Sequence, residues 1–292
     1  MDQEQITTPK NPFEANTNHA LRGDYEHMRE DYTVEQPYDR YTDAEQARWR
    51  FLYDRQKKLL EGYAAQEYID GLEALNAGEA IPRVEDANKV LGDATGWQLV
   101  AVPGLIPDDV FFDHLANCRF PVSWWIRGEH ELDYLVEPDY FHDFFGHVPL
   151  LSNPVFAEYM RKYGKGGPKA IEFGAQKMLA RLYWYIVEFG LIYTKDGLRA
   201  FGAGMLSSKN ETIYSVESPK PNRIGFDLER VLNTAYMVDD FQKTYFVVDS
   251  FESLFEISDC DFTEFYKRGA GSPPISPDRV LPTDRVINKG EF

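Results

Sequence analysis

Two histidines, His142 and His147, stand five residues apart inside the apolar run EPDYFHDFFGHVPLL of this 292-residue chain. In a regular α-helix that spacing turns one imidazole about 140° from the other, so the pair does not share a face as residues i and i+4 do. Either the two rings serve separate parts of a core, or the backbone leaves the regular helix so that they converge. Pro138 and Gly146 are places where such a departure fits, and Asp139 or Asp143 could brace one of the rings.

The remaining sequence weighs on that choice. Only six histidines occur in the chain, and a further polar group, Glu188, lies in the greasy segment YWYIVEFG. A buried, unpaired carboxylate costs on the order of several kcal/mol, and a bound metal ion removes the penalty. Two neutral imidazoles and one carboxylate that leave coordination positions open suit non-haem Fe(II) and oxygen activation. Zinc is the rival metal, although zinc hydrolases commonly carry their general base beside the ligands, as in HExxH, a pattern this sequence lacks. A metal that only staples the fold is the third reading.

Charge and targeting signals limit the partners. Forty-eight acidic residues against thirty-one basic ones give a net charge of −17 and a pI of about 4.8, which disfavours nucleic acid and anionic membranes. The first residues, MDQEQITTPK, lack a basic and an apolar leader region, and no apolar run approaches the length of a membrane span. The sequence predicts a cytoplasmic protein. Cys118 and Cys260 form no CxxC pair and are expected to be buried or inert.

Along the chain, residues 1–41 form a polar arm with scattered prolines, expected to be irregular. Residues 42–268 are expected to make one catalytic domain, with a helical lead-in over 42–96 that begins at a capping box, Thr42 with Glu45. QLVAVPGLIP is read as a loop because of Pro103-Gly104 and Pro107, DDVFFDHLANC as a helix, and RFPVSWWIRG as a strand, with ELDYLVEPD extended after a turn at 128–130. Helices are predicted over 139–163 and 168–192, and the second is apolar nearly all round, as a helix through a core should be. LRAFG, ETIYSV and KTYFVVD are read as strands, with helices starting near Asp227 and Phe251. Residues 269–292, rich in proline and glycine, are expected to lie on the surface as a tail. The fold class is mainly α with small β elements.

EPDYFHDFFGHVPLL, LYWYIVEFGL and AFGAGMLSS, in this order, resemble the catalytic domain of the pterin-dependent aromatic amino acid hydroxylases, most closely the short bacterial phenylalanine 4-monooxygenases. The likeness runs from about Val102 to Phe255. It implies a mainly helical catalytic fold, one non-haem Fe(II), a tetrahydropterin co-substrate that supplies two electrons, O2, and a small aromatic amino acid hydroxylated on its ring. By position, His142, His147 and Glu188 match the family's iron ligands. Arg127 matches the arginine that grips the substrate carboxylate, with Asp139 supporting it, and Tyr183 matches a tyrosine near the open side of the iron. The resemblance puts the pterin against Gly104, Ile106 and Phe111, and the amino acid among Pro138, Trp184, Gly204 and Ser207.

Two positions bear on the choice of amino acid. The resemblance implies that tryptophan hydroxylases carry Phe where Trp184 stands, and that tyrosine hydroxylases carry Asp where Val238 stands. Phenylalanine is therefore the expected substrate, with tryptophan hydroxylation as the alternative inside the family and a zinc-dependent hydrolase outside it. Residues 1–41 are too short for a regulatory domain and the tail is broken by proline, so a constitutively active monomer is expected.

Overall fold

The computed structural model describes residues 22–133, 135 and 137–291; the first half of the polar arm lies outside them. Among the described residues, Trp49 near the start and Tyr266 near the end belong to the same apolar core. Three helices open it: α1 (Asp43–Leu59), α2 (Gln66–Leu75) and α3 (Val84–Thr95). The capping box read from the sequence is present, with the Thr42 hydroxyl accepting from the Glu45 backbone and the Glu45 carboxylate from that of Thr42.

β1 (Gln98–Val102) was expected to be loop. It pairs in parallel with β2 (Arg119–Ser123) across α4 (Asp108–Ala116), and the Asn88 side chain bonds both backbone groups of Leu99. The prolines begin only after the last paired residue, so they end the strand rather than prevent it. The ELDYLVEPD segment forms no strand among its described residues, and Glu129–Glu131 makes one 3-10 turn.

The long helix predicted over 139–163 is interrupted. A π-helical turn, His142–His147, runs into α5 (Val148–Leu151), and α6 (Pro154–Glu172) restarts after Asn153, whose side chain accepts from the Val155 and Phe156 N–H groups. α6 continues through Gly164-Lys165-Gly166-Gly167, where the sequence left a gap. The reason is packing: a Cβ at Gly164 would sit 2.4 Å from the Ala116 nitrogen of α4, so glycine lets two helices touch. The helix predicted over 168–192 is broken at 173–175, where Gly174 has a φ of 61°: its first residues belong to α6, and α7 (Gln176–Leu182) leads into a second π-helical turn, Tyr183–Glu188, where it ends.

β3 (Leu191–Thr194) and β4 (Gly197–Ala200) form a hairpin, followed by α8 (Ala203–Leu206) and α9 (Lys209–Glu217). The expected ETIYSV strand is thus a helix. Ser208 caps it, and the buried positions Glu211, Thr212 and Ser215 follow helical spacing rather than alternation. β5 (Asn222–Gly225), α10 (Leu228–Leu232), β6 (Thr244–Val248), α11 (Phe251–Ser258), α12 (Thr263–Gly269) and β7 (Val286–Asn288) complete the chain. The five-stranded sheet has the order β4-β3-β6-β5-β7, so the proline-rich tail adds an edge strand. Cys118 is half-buried and Cys260 is exposed, and neither is paired. Among the described residues no helix is long and apolar enough to cross a membrane.

Candidate active site

Both segments that carry the predicted ligands are π-helical turns. A hydrogen bond closing over five residues brings residue i+5 over residue i, which answers the spacing problem posed by His142 and His147. Their rings lie 5.1 Å apart and nearly perpendicular. In the second turn the Phe189 N–H donates to the Trp184 carbonyl at 2.9 Å and swings Glu188 toward the histidines.

The His147 Nε2 atom is 3.1 Å from Glu188 Oε1, and the His142 Nε2 atom is 3.7 Å from Glu188 Oε2. The His142, His147 and Glu188 side chains are 16%, 5% and 13% exposed, and one ligand atom from each lies within 4.8 Å of the others. Ligands about 2 Å from a metal and at right angles are about 3 Å apart, so the donor set fits one ion. Burial pulls the His142 imidazole down to about 4, keeping it neutral and available as a ligand. Burial works against ionisation of Glu188, but the two imidazoles and the Gly204 N–H outweigh it and hold the carboxyl below its usual range.

The surroundings aim these groups. Ser207 Oγ lies 2.9 Å from His142 Nδ1 and donates to the Ala203 carbonyl, which leaves Nε2 of the ring facing Glu188. A Cβ at Gly204 would lie 3.1 Å from Glu188 Oε2 and 2.9 Å from the Phe189 ring, so this position admits little beyond glycine. Asp139, fully buried, accepts from Arg127 Nε, Nη2 and backbone N–H at 2.9, 2.7 and 2.8 Å, and from the His142 N–H at 2.9 Å. Burial opposes its charge, yet Arg127 beside it keeps the carboxyl below the ordinary range. Asp143 does not brace a histidine. It accepts from the Ser123 N–H and hydroxyl, both at 2.7 Å, and ties the first π turn to β2, while burial pushes its carboxyl up to about 7.

Tyr183 joins two of the expected regions: its ring is 6.1 Å from His147 and 5.6 Å from Phe111 on α4. Ile106 is buried and Gly104 half-buried in the segment between β1 and α4, and Pro138 is exposed beside Asp139. Trp184 contacts Phe189 at 4.9 Å and stacks on Tyr236 at 4.4 Å and 17°. Val238 is half-buried in the loop that carries Tyr236. Sequence reasoning missed Phe189 and Tyr236. Phe189 stands next to Glu188 and Tyr236 two residues before Val238, so proximity to residues already singled out was the available signal.

A family model described as biopterin-dependent aromatic amino acid hydroxylase matches residues 5–265. The chain belongs to that family. Its members' chemistry makes this chain a pterin-dependent iron monooxygenase acting on an aromatic amino acid, with Fe(II) fitting the His142, His147 and Glu188 cluster. Among curated relatives, this hydroxylase is 57% identical to the phenylalanine-4-hydroxylase of Ralstonia nicotianae, covering 90% of this chain and 84% of that one. It is also 57% identical to the phenylalanine-4-hydroxylase of Chromobacterium violaceum, covering 91% and 90%. The iron- and phenylalanine-bound crystal structure of the Chromobacterium violaceum enzyme superposes with a TM-score of 0.86 at 55% identity, covering 89% of this chain and 96% of that chain.

Proposed function

We propose that this hydroxylase is a phenylalanine 4-monooxygenase that converts L-phenylalanine to L-tyrosine. The observation that carries the choice of substrate is Trp184, four residues before Glu188 and sandwiched by Phe189 and Tyr236. A full indole in the wall leaves less room for an incoming indole than a phenyl ring would. The relatives named phenylalanine-4-hydroxylase support the same reading. Val238, aliphatic and half-buried, cannot satisfy a phenol hydroxyl, and leaving that group unpaired costs about 1–3 kcal/mol against tyrosine.

Fe(II) and tetrahydropterin, when bound, activate O2 for attack on the ring. His142, His147 and Glu188 would hold the metal, a donor set that suits Fe(II) and oxygen activation. Arg127 would bind the substrate carboxylate. Its Nε and Nη2 atoms bond Asp139, so the Nη1 side remains for the incoming carboxylate, and the charge is held in place before substrate arrives. Pro138, Gly204 and Ser207 would complete the amino acid site. Gly104, Ile106 and Phe111 would receive the pterin, with Tyr183 between it and the metal. Orientation is the main contribution of these residues, because reacting groups held within reach no longer lose freedom on meeting.

As further parts of this proposal, residues 42–268 act as one catalytic unit, and the protein works as a cytoplasmic monomer, in keeping with its −17 charge and unpaired cysteines. The experiment is a comparison of kcat/KM for phenylalanine, tryptophan and tyrosine with one tetrahydropterin. The highest value should belong to phenylalanine; a higher value for tryptophan would overturn the substrate assignment.

A further inference from the structure

The loop between α10 and β6 is held at both ends. At its start the Ala235 N–H donates to the Ile275 carbonyl at 2.9 Å, and the Ile275 N–H donates to the Asn233 carbonyl at 2.7 Å. At its end the Gln242 side chain, 1% exposed, folds back on the loop. Its amide nitrogen donates to the Met237 carbonyl at 2.7 Å, and its amide oxygen accepts from the Met237 N–H at 3.1 Å. The Gln242 backbone N–H donates to Glu211 Oε1 at 3.2 Å, an atom that also accepts from the Tyr245 hydroxyl at 2.7 Å. One side-chain amide therefore brackets both backbone groups of the residue lying between Tyr236 and Val238.

The geometry points to Gln242 as a positioning residue for substrate selectivity, which holds Tyr236 against Trp184 and fixes Val238 before the amino acid binds. The inference rests on the proposed reading in which Trp184 and this loop face the substrate ring. Only an amide of this length supplies a donor and an acceptor to the same residue. A leucine of similar size supplies neither, an ionised glutamate cannot donate, and asparagine ends one methylene short. Without the clamp the Met237 groups must find water or other partners, and the loop must be ordered when substrate binds. That ordering falls on binding of the amino acid rather than on chemistry at the metal.

The test uses full-length, iron-loaded wild type, Gln242→Leu and Gln242→Asn with phenylalanine and tryptophan. The account predicts a KM for phenylalanine raised about tenfold in Gln242→Leu, with kcat and iron content close to wild type. It also predicts that the phenylalanine-to-tryptophan ratio of kcat/KM falls about tenfold, because a mobile wall discriminates less. Gln242→Asn should move both readings in the same direction, and it decides the matter if the leucine variant does not fold. Iron-loaded variants that keep the wild-type KM and ratio, in a protein that itself prefers phenylalanine, would overturn this inference alone. A wild type without that preference would overturn the underlying reading together with it.

Discussion

Arg127 and Asp139 meet through two side-chain hydrogen bonds of 2.9 and 2.7 Å, and Asp139 reaches on to the backbone N–H of His142. One buried carboxylate thus joins the expected anchor of the substrate to the first residue of the expected metal site. Arg127→Lys should raise the KM for the amino acid by at least tenfold with a smaller change in kcat, since an ammonium cannot serve Asp139 and a carboxylate as the planar fork does. Asp139→Ala should also lower stability by about 3–5 kcal/mol, because it leaves a buried guanidinium unpaired. Steady-state kinetics and denaturant unfolding check the two halves, and an unchanged KM in Arg127→Lys would remove the anchoring role.

Ser207→Ala removes the hydroxyl 2.9 Å from His142 Nδ1 while leaving the ring itself. Iron affinity should fall about 10- to 100-fold as the imidazole loses its orienting partner. Iron retention in a chelator titration is the readout, and a wild-type curve would show that Ser207 does not set the ring.

Trp184→Phe puts a smaller ring in the wall where Phe189 and Tyr236 contact Trp184, and so enlarges the space beside it. The ratio of kcat/KM for tryptophan over phenylalanine should rise about tenfold. A fall in that ratio would contradict the placement of Trp184 beside the substrate ring.

Glu211 gives a pH dependence away from the metal. Burial, with Asp240 nearby, raises its carboxyl to about 7 against an ordinary 4.5, although Tyr245 and the Gln242 N–H pull the other way. Between these values the folded protein binds a proton that the unfolded chain does not. The resulting stability is full below about pH 4.5 and is lost as pH rises through about 7. Glu211→Gln should flatten that part of the profile, so that its Tm gains on wild type between pH 5 and 8. Parallel Tm profiles for the two proteins would show that Glu211 stays charged.

Much of this site was legible in the sequence because its residues cluster in a few contiguous segments with unusual chemistry. A carboxylate within YWYIVEFG and two histidines in an apolar run demanded partners, and the five-residue spacing demanded an irregular turn, which the first π turn supplies. The Thr42 capping box was equally local. What escaped depends on distant pairing. β1 becomes a strand because Arg119–Ser123 lies beside it, and ETIYSV becomes a helix because Glu211, Thr212 and Ser215 face a core that the sequence does not draw. Tyr236 reaches Trp184 across 52 positions, and no local pattern announces such a contact.

Metal dependence bears most directly on the central assignment of an iron monooxygenase built on His142, His147 and Glu188. Chelator-stripped protein should form tyrosine from phenylalanine only after one equivalent of Fe(II) is restored with tetrahydropterin present, and zinc in the same site should leave it inactive. Equal tyrosine formation by metal-free or zinc-loaded protein, or by iron-loaded Glu188→Ala, would contradict the account.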